Sequence, residues 1–204
     1  MSLYINTRRH IDSFNGIAVC KIKRKGGGFG VKEIKKNILY SKEAIEKRVN
    51  ELAETISRDY EGRKIVFVCV LKGAFIFLAD LTRRLKVPHV VDFVRLASYG
   101  SGTVSSGKIT ITKDIETSIE GKDVVIVEDI IDTGITMDFL KDRLKKSNPN
   151  SLKICALLDK EERREVKVDV DYVGFTIENK FVVGYGIDFD EKFRCLPDIY
   201  VIDE

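Results

Sequence analysis

Histidine is nearly missing from this chain: His10 and His89 are the only two among 204 residues. A catalytic apparatus centred on imidazole is therefore not expected, and His89, which follows Pro88 at the start of an apolar run, reads as structural. Cysteine is also sparse. Cys20, Cys69, Cys155 and Cys195 are widely scattered and form no C-x-x-C pair, which argues against a zinc site or a disulfide framework. Cys69 and Cys155 lie inside apolar runs and read as small core residues. No apolar run approaches the ~20 residues that a membrane span requires. The opening stretch MSLYINTRRHIDSFNG carries no apolar signal core, so the expected location is cytoplasmic, with no membrane partner. Internal repeats and low-complexity tracts are absent from the sequence.

What is present describes a soluble globule. Hydrophobic residues make up 44% and charged residues 33%, a balance that can build a core and is foreign to disordered chains. The length suits one domain. The net charge of +3 conceals an asymmetry, because residues 1–36 hold nine Lys/Arg against two Asp/Glu. A basic segment of this kind either extends into solvent or touches an acidic surface such as nucleic acid. The glycine-rich stretch KIKRKGGGFGVK (21–32) lacks the Lys-Ser/Thr pair of a phosphate-binding loop and reads as a linker or turn. The chain is thus divided into a basic N-terminal extension, 1–37, and a main domain, 38–204.

Within that domain the periodicity alternates. Residues 41–60 place Ile45, Val49, Leu52 and Ile56 on one helical stripe, with Ser41 as N-cap. Residues 64–71 form a continuous apolar run, the pattern of a strand buried on both faces. Further strands are expected over 89–96, 123–129 and 151–159, and helices over 74–86 and 137–146. Two β-rich segments close the chain. Strands alternating with helices imply right-handed crossovers and a mainly parallel sheet flanked by helices, in which ligands bind at the carboxyl ends of the strands.

The stretch VVIVEDIIDTGITM (124–137) lies at such an end. Thr133, Gly134 and Thr136 surround a helix start, where free N–H groups and the helix dipole suit a phosphate. The adjacent acids Glu128, Asp129 and Asp132 cannot bind phosphate. They can accept hydrogen bonds from sugar hydroxyls or hold a divalent cation. A phosphate cradle beside an acid pair describes a site for ribose 5-phosphate; the plainer alternative is that the acids cap the helix.

VVIVEDIIDTGIT resembles the signature of the type I phosphoribosyltransferases. With VLKGAFIFLADL, VDFVRLASYGSG, LLDK followed by ERR, and VDYVGFTIENKFVVGYGIDFDEKFRCLPDIYVI, the chain over about 38–203 resembles the hypoxanthine-guanine phosphoribosyltransferases. The resemblance implies their fold, with a small purine-binding hood from the C-terminal segment. It implies transfer of the 5-phosphoribosyl group from phosphoribosyl pyrophosphate to hypoxanthine or guanine, giving IMP or GMP, with Mg2+ as cofactor and a homodimer or homotetramer as assembly. By the same resemblance, Leu71, Lys72 and Gly73 form a pyrophosphate loop that can contain a cis peptide, and Arg194 also binds pyrophosphate. Ser98 and Tyr99 begin a mobile lid. Glu128 and Asp129 hold the ribose hydroxyls directly or with magnesium, and Asp132 is the general base. Residues Asp132, Thr133, Gly134, Ile135 and Thr136 wrap the 5′-phosphate. Ile135 stands where some relatives carry lysine, so the grip rests on backbone N–H groups and threonines. Lys160 donates to the six-position oxygen of the purine, Phe181 stacks on its ring, the Val182 backbone reads its edge, and Asp188 reaches a second magnesium through water.

Two other readings compete. A regulatory protein on the same fold would bind nucleic acid through the basic extension; the presence of Lys160, Phe181, Asp188 and Asp132 argues for an enzyme without a nucleic-acid partner. A transferase for adenine or orotate would conflict with Lys160, because adenine presents a donor where Lys160 is also a donor.

Overall fold

The apolar runs expected at 64–71, 123–129 and 151–159 become parallel neighbours and fix the frame. In the computed structural model the described residues are 19–23, 29–33, 36–98 and 109–202. A hairpin of β1 (Val19–Lys23) and β2 (Phe29–Glu33) pairs antiparallel on either side of residues 24–28, part of the expected linker, which lie outside the described residues. Then follow β3 (Lys36–Tyr40), α1 (Lys42–Asp59), β4 (Ile65–Leu71), α2 (Phe75–Thr82), β5 (His89–Ser98) and β6 (Ile109–Lys113). The chain continues through β7 (Asp123–Ile131), α3 (Ile135–Lys145), β8 (Ser151–Asp159), β9 (Tyr172–Thr176), β10 (Val182–Val183) and β11 (Ile199–Ile202). The main sheet has the order β6-β5-β4-β7-β8-β9, parallel throughout except for antiparallel β6 at one edge. A second sheet, β10-β11-β3, is antiparallel and forms a hood. Because β3 begins at Lys36, residues 36 and 37 sit in the hood although the sequence assigns them to the extension.

The apolar runs divide their side chains between the two faces, as the pleat requires. Phe67, Cys69, Val125, Val127, Cys155 and Leu157 pack with the buried stripes of α1 and α2. Val66, Val68, Val124, Ile126, Ile154 and Ala156 pack with Met137, Leu140 and Leu144 of α3. Burial pushes the Cys69 thiol up to about 12 and raises that of Cys155 as well, so both are inert core residues. The side chain of Ser41 accepts the Ala44 N–H at 3.4 Å and caps α1. His89 acts structurally: its Nδ1 lies 2.9 Å from the Val87 carbonyl and its ring meets the Phe67 ring edge-on.

Three boundaries differ from expectation for physical reasons. α2 stops at Thr82, short of 86, where the Arg84 and Leu85 N–H groups turn to the carbonyls three residues back, Leu81 (3.0 Å) and Thr82 (3.4 Å), and tighten the chain into a turn. α3 begins at Ile135, two residues early, because Gly134 turns the chain with φ +86°, a conformation open to glycine. Between β10 and β11 the chain cannot stay extended, since Tyr185, Asp190, Glu191 and Phe193 all have positive φ. Residues 99–108, including Tyr99 and nearly all of the expected lid, lie outside the described residues, and Ser98 ends β5.

Asp92 ties the connection after β6 to β5. Its buried carboxylate accepts from the N–H groups of Phe93 (2.7 Å), Glu116 (2.8 Å) and Thr117 (2.6 Å). Burial opposes its ionisation, yet these donors outweigh it and hold the carboxyl below its usual range. A depressed folded value stabilises above the unfolded carboxylate range near pH ~4 and is lost as pH falls. Asp92→Ala should therefore lower stability by about 1–3 kcal/mol near neutrality, with the difference from the parent shrinking below pH ~4, as thermal melts across pH will show.

Candidate active site

Three strand ends meet at one rim. β4 delivers Leu71-Lys72-Gly73, β7 delivers Glu128 to Asp132, and β8 delivers Lys160. The Leu71–Lys72 peptide is cis, the feature that the family resemblance suggested and that the residues alone do not reveal. A Cβ built on Gly73 would overlap the Asp129 carboxylate, and one on Gly186 would overlap the Gly73 carbonyl. The loop after β4 is therefore pressed between the β7 acid pair and the turn at 184–186. That turn is pinned to α2 by Tyr185, whose hydroxyl donates to Asp80 at 2.6 Å.

The acid pair is oriented by the backbone. Glu128 Oε1 accepts the Asp129 N–H at 3.1 Å, and Asp129 Oδ1 accepts the Ile130 N–H at 2.9 Å. Glu128 is only 8% exposed. Burial first, and then the neighbouring Asp129 carboxylate, push its carboxyl well above the usual range. A cation would relieve that crowding. Among the described residues no three His, Cys, Asp or Glu side chains form a ready-made metal cage. Magnesium does not need one, since it commonly binds through one or two carboxylates, waters and substrate phosphates. The donor set of Glu128 and Asp129 fits that habit.

Asp132, Thr133, Gly134, Thr136 and Met137 line a cleft of about 220 Å3, with Val70, Leu96 and Glu128 on its other walls. Ile135 is the first residue of α3, so the grip on an anion here falls to N–H groups at the helix start and to the threonines. Asp132 Oδ1 is shielded from water and has no aligned hydrogen-bond donor. The Arg163 Nε stands 3.0 Å from it as an ion pair whose angle misses hydrogen-bond alignment. Lys160, 7% exposed, lies just beyond, its N–H donating to the Ile131 carbonyl at 2.9 Å. Burial lowers the pKa of its ammonium, opposed by the Asp132 carboxylate.

The hood supplies the rest. Phe181 is 45% exposed and meets Phe189 edge-on at 5.4 Å. Its carbonyl accepts the Ile202 N–H, and Val182 beside it is buried. Arg194 donates to the Gly186 carbonyl at 2.8 Å and pairs with Asp188 Oδ1 at 2.8 Å. Glu191 bridges Lys72 (2.7 Å) and Arg194 (3.3 Å), and these two partners, Lys72 first, hold its carboxyl below the usual range. Sequence reading missed Arg163, Arg164, Tyr185, Gly186 and Glu191. The ERR triplet drew notice only as part of the resemblance, and an exposed Glu or Arg carries no pattern of its own.

Comparison with known proteins places this rim in context. Residues 36–190 match the family model described as the phosphoribosyl transferase domain. The chain is 47% identical over 173 residues to the hypoxanthine-guanine phosphoribosyltransferase of Streptococcus thermophilus, covering 85% of this chain and 96% of that protein. A crystal structure of a hypoxanthine-guanine phosphoribosyltransferase from Bacillus anthracis, with a HEPES molecule in its active site, superposes with a TM-score of 0.80 at 50% identity, covering 84% of this chain and all of the other. The hypoxanthine phosphoribosyltransferase of Trypanosoma cruzi gives 0.78 at 44% identity, over 82% and 91% of the two chains. Fold and rim together define a phosphoribosyltransferase, an enzyme class with a type I architecture. Within that class, the chain belongs to the hypoxanthine-guanine phosphoribosyltransferase family.

The raised Glu128 carboxyl has a consequence for stability. In the metal-free protein a carboxyl raised on folding contributes most below the unfolded glutamate value of about 4.3, and that contribution is lost as pH climbs toward the folded value. Glu128→Gln should therefore melt at a higher temperature than the parent at pH 7–8 without metal, with the two curves converging near pH ~4. A constant offset across that range would show that the Glu128 charge is not what the fold resists.

Proposed function

We propose that the chain salvages purines by transferring the 5-phosphoribosyl group of phosphoribosyl pyrophosphate to hypoxanthine or guanine, giving IMP or GMP and releasing pyrophosphate. The observation that carries this reading is the meeting of three strand ends at one rim, where a phosphate cradle, an acid pair and a buried lysine stand together. In this reading the purine nitrogen attacks the anomeric carbon, the bond from that carbon to the pyrophosphate oxygen breaks, and pyrophosphate leaves with the electron pair. The ring proton passes to Asp132. The backbone of Thr133 to Thr136 holds the 5′-phosphate, and Lys72, Gly73 and Arg194 receive the pyrophosphate. Lys160 donates to the six-position oxygen, the exposed face of Phe181 stacks on the ring, and the Val182 backbone meets the base edge. Glu128 and Asp129, with Asp188 on the far side, would hold Mg2+, which supplies charge neutralisation for the departing pyrophosphate. No side-chain nucleophile is required, and the protein's share is orientation and electrostatics.

Related proteins motivate two further parts of the reading. The work on the Trypanosoma cruzi enzyme concerns its C-terminal region and its oligomeric state, and we assign this chain a homodimer or homotetramer. Among the described residues no helix is long and apolar enough to cross a membrane, and we assign the chain to the cytoplasm.

Purified protein mixed with phosphoribosyl pyrophosphate, Mg2+ and each purine should form nucleotide with hypoxanthine or guanine and not with adenine. Asp132→Asn should lower turnover on the order of 100-fold or more; absence of turnover with every purine would overturn the reading. Glu191 provides a second test, because it occupies both cations assigned to pyrophosphate. Glu191→Gln should reduce KM for phosphoribosyl pyrophosphate severalfold and no further, since exposed ion pairs are weak; a raised KM would instead make Glu191 a support for Lys72 and Arg194.

A further inference from the structure

A general base and an oxygen-reading lysine that serve the same purine must stand at a fixed separation, because the atoms they address share one edge of a rigid ring. Here they come from different strands. β7 and β8 stay in register up to the pair Ile131↔Asp159, and Asp132 and Lys160 are each the next residue. The last backbone bond between the two strand ends runs from the Lys160 N–H to the Ile131 carbonyl at 2.9 Å and stops short of Asp132, so the Asp132 side of the pair calls for a hold beyond the sheet.

That hold is Arg164. One arm of its guanidinium donates to the Asp132 carbonyl at 2.8 Å, and the other donates to the carboxylate of Asp159, the residue before Lys160. The Arg164 side chain is 15% exposed and that of Asp159 4%. Around this bridge the two loops are stitched further. Glu165 and Val166 both donate their N–H groups to the Thr133 carbonyl, at 2.9 and 3.1 Å. The Arg164 stem also lies so close to Gly134 that a Cβ there would stand 3.1 Å from its Cδ. Burying an ion pair is costly, and an apolar pair of similar volume is often as stable. A planar fork, however, can grip a carbonyl and a carboxylate in two directions at once, which neither an apolar side chain nor a lysine can do. Arg163 next door differs, since it meets the Asp132 carboxylate itself and is more exposed.

We propose that Arg164 is a positioning residue that sets the spacing between Asp132 and Lys160, so that both act on one purine edge. The proposal rests on the substrate reading above. Four proteins test it: the parent, Arg164→Met, Arg164→Lys, and Asp159→Asn combined with Arg164→Met. The double variant removes the buried charge that Arg164→Met would strand, so it is expected to fold and to melt near the parent. For each, the measurements are melting temperature, affinity for phosphoribosyl pyrophosphate, kcat and KM with hypoxanthine, and the inhibition constant of unsubstituted purine, which has no six-position oxygen. We expect the double variant and Arg164→Lys to keep their affinity for phosphoribosyl pyrophosphate and for unsubstituted purine. Their kcat/KM with hypoxanthine should fall on the order of 100-fold, the scale of a misplacement of about 1 Å. Recovery of hypoxanthine turnover together with melting temperature in the double variant would reduce Arg164 to a structural role and overturn the proposal. Equal losses toward hypoxanthine and unsubstituted purine would do the same. A parent that turns over no purine would overturn the substrate reading itself, a result that the variant ratios cannot mimic.

Discussion

Everything at the rim depends on β7 being paired on both sides. β4 flanks it through the partners Ile65↔Asp123 to Cys69↔Val127, and β8 flanks it from Asp123↔Ser151 onward. A strand so enclosed cannot slide without turning its apolar side chains to the wrong face. Glu128 is thus held inside the sheet, at a place where a carboxylate is electrostatically uncomfortable, and Asp129 is pressed on the glycine of the neighbouring loop. The hydrophobic runs of β4, β7 and β8 supply the rigidity, and the acids at their ends draw on it. This is why Glu128 and Asp129 are oriented by backbone N–H groups, whereas Asp132, just past the paired residues, is also held by the Arg164 side chain.

The hood side is built on different terms. The hood has only short strands, and its geometry comes from individual contacts: Tyr185 on Asp80, Gly186 against Gly73, Arg194 on the Gly186 carbonyl. The ring stack of Tyr40 on Phe175, with centroids 3.9 Å apart, ties β3 of the hood to β9 of the main sheet. One half of the site is therefore sheet-borne and the other contact-borne.

The sequence makes the first half legible and much of the second half not. Buried parallel strands announce themselves as unbroken apolar runs, and α1 as a stripe with a serine cap; these follow from periodicity alone. The acids and the Thr-Gly turn at 128–136 stand out because their placement after such a run conflicts with burial. Arg164 and Glu191 give no comparable signal. Their partners are 32 and 119 residues away along the chain, and a charged residue looks the same whether it bridges two loops or faces water. The short strands at 182–183 and 199–202 blur for a related reason: tight turns with positive φ at non-glycine residues leave no composition mark. The cis bond after Leu71 is invisible to any reading by pattern and was suggested only by resemblance.

The hood also has a temporal meaning. β3, at residues 36–40, pairs with β11, at residues 199–202, so its edge stays open until β11 has been made. The parallel core from β4 to β8 is complete well before that point. On the ribosome, the rim built by β4, β7 and β8 can take shape while the hood is still missing its closing strand. A growing chain would then carry its acidic rim before its hood can close.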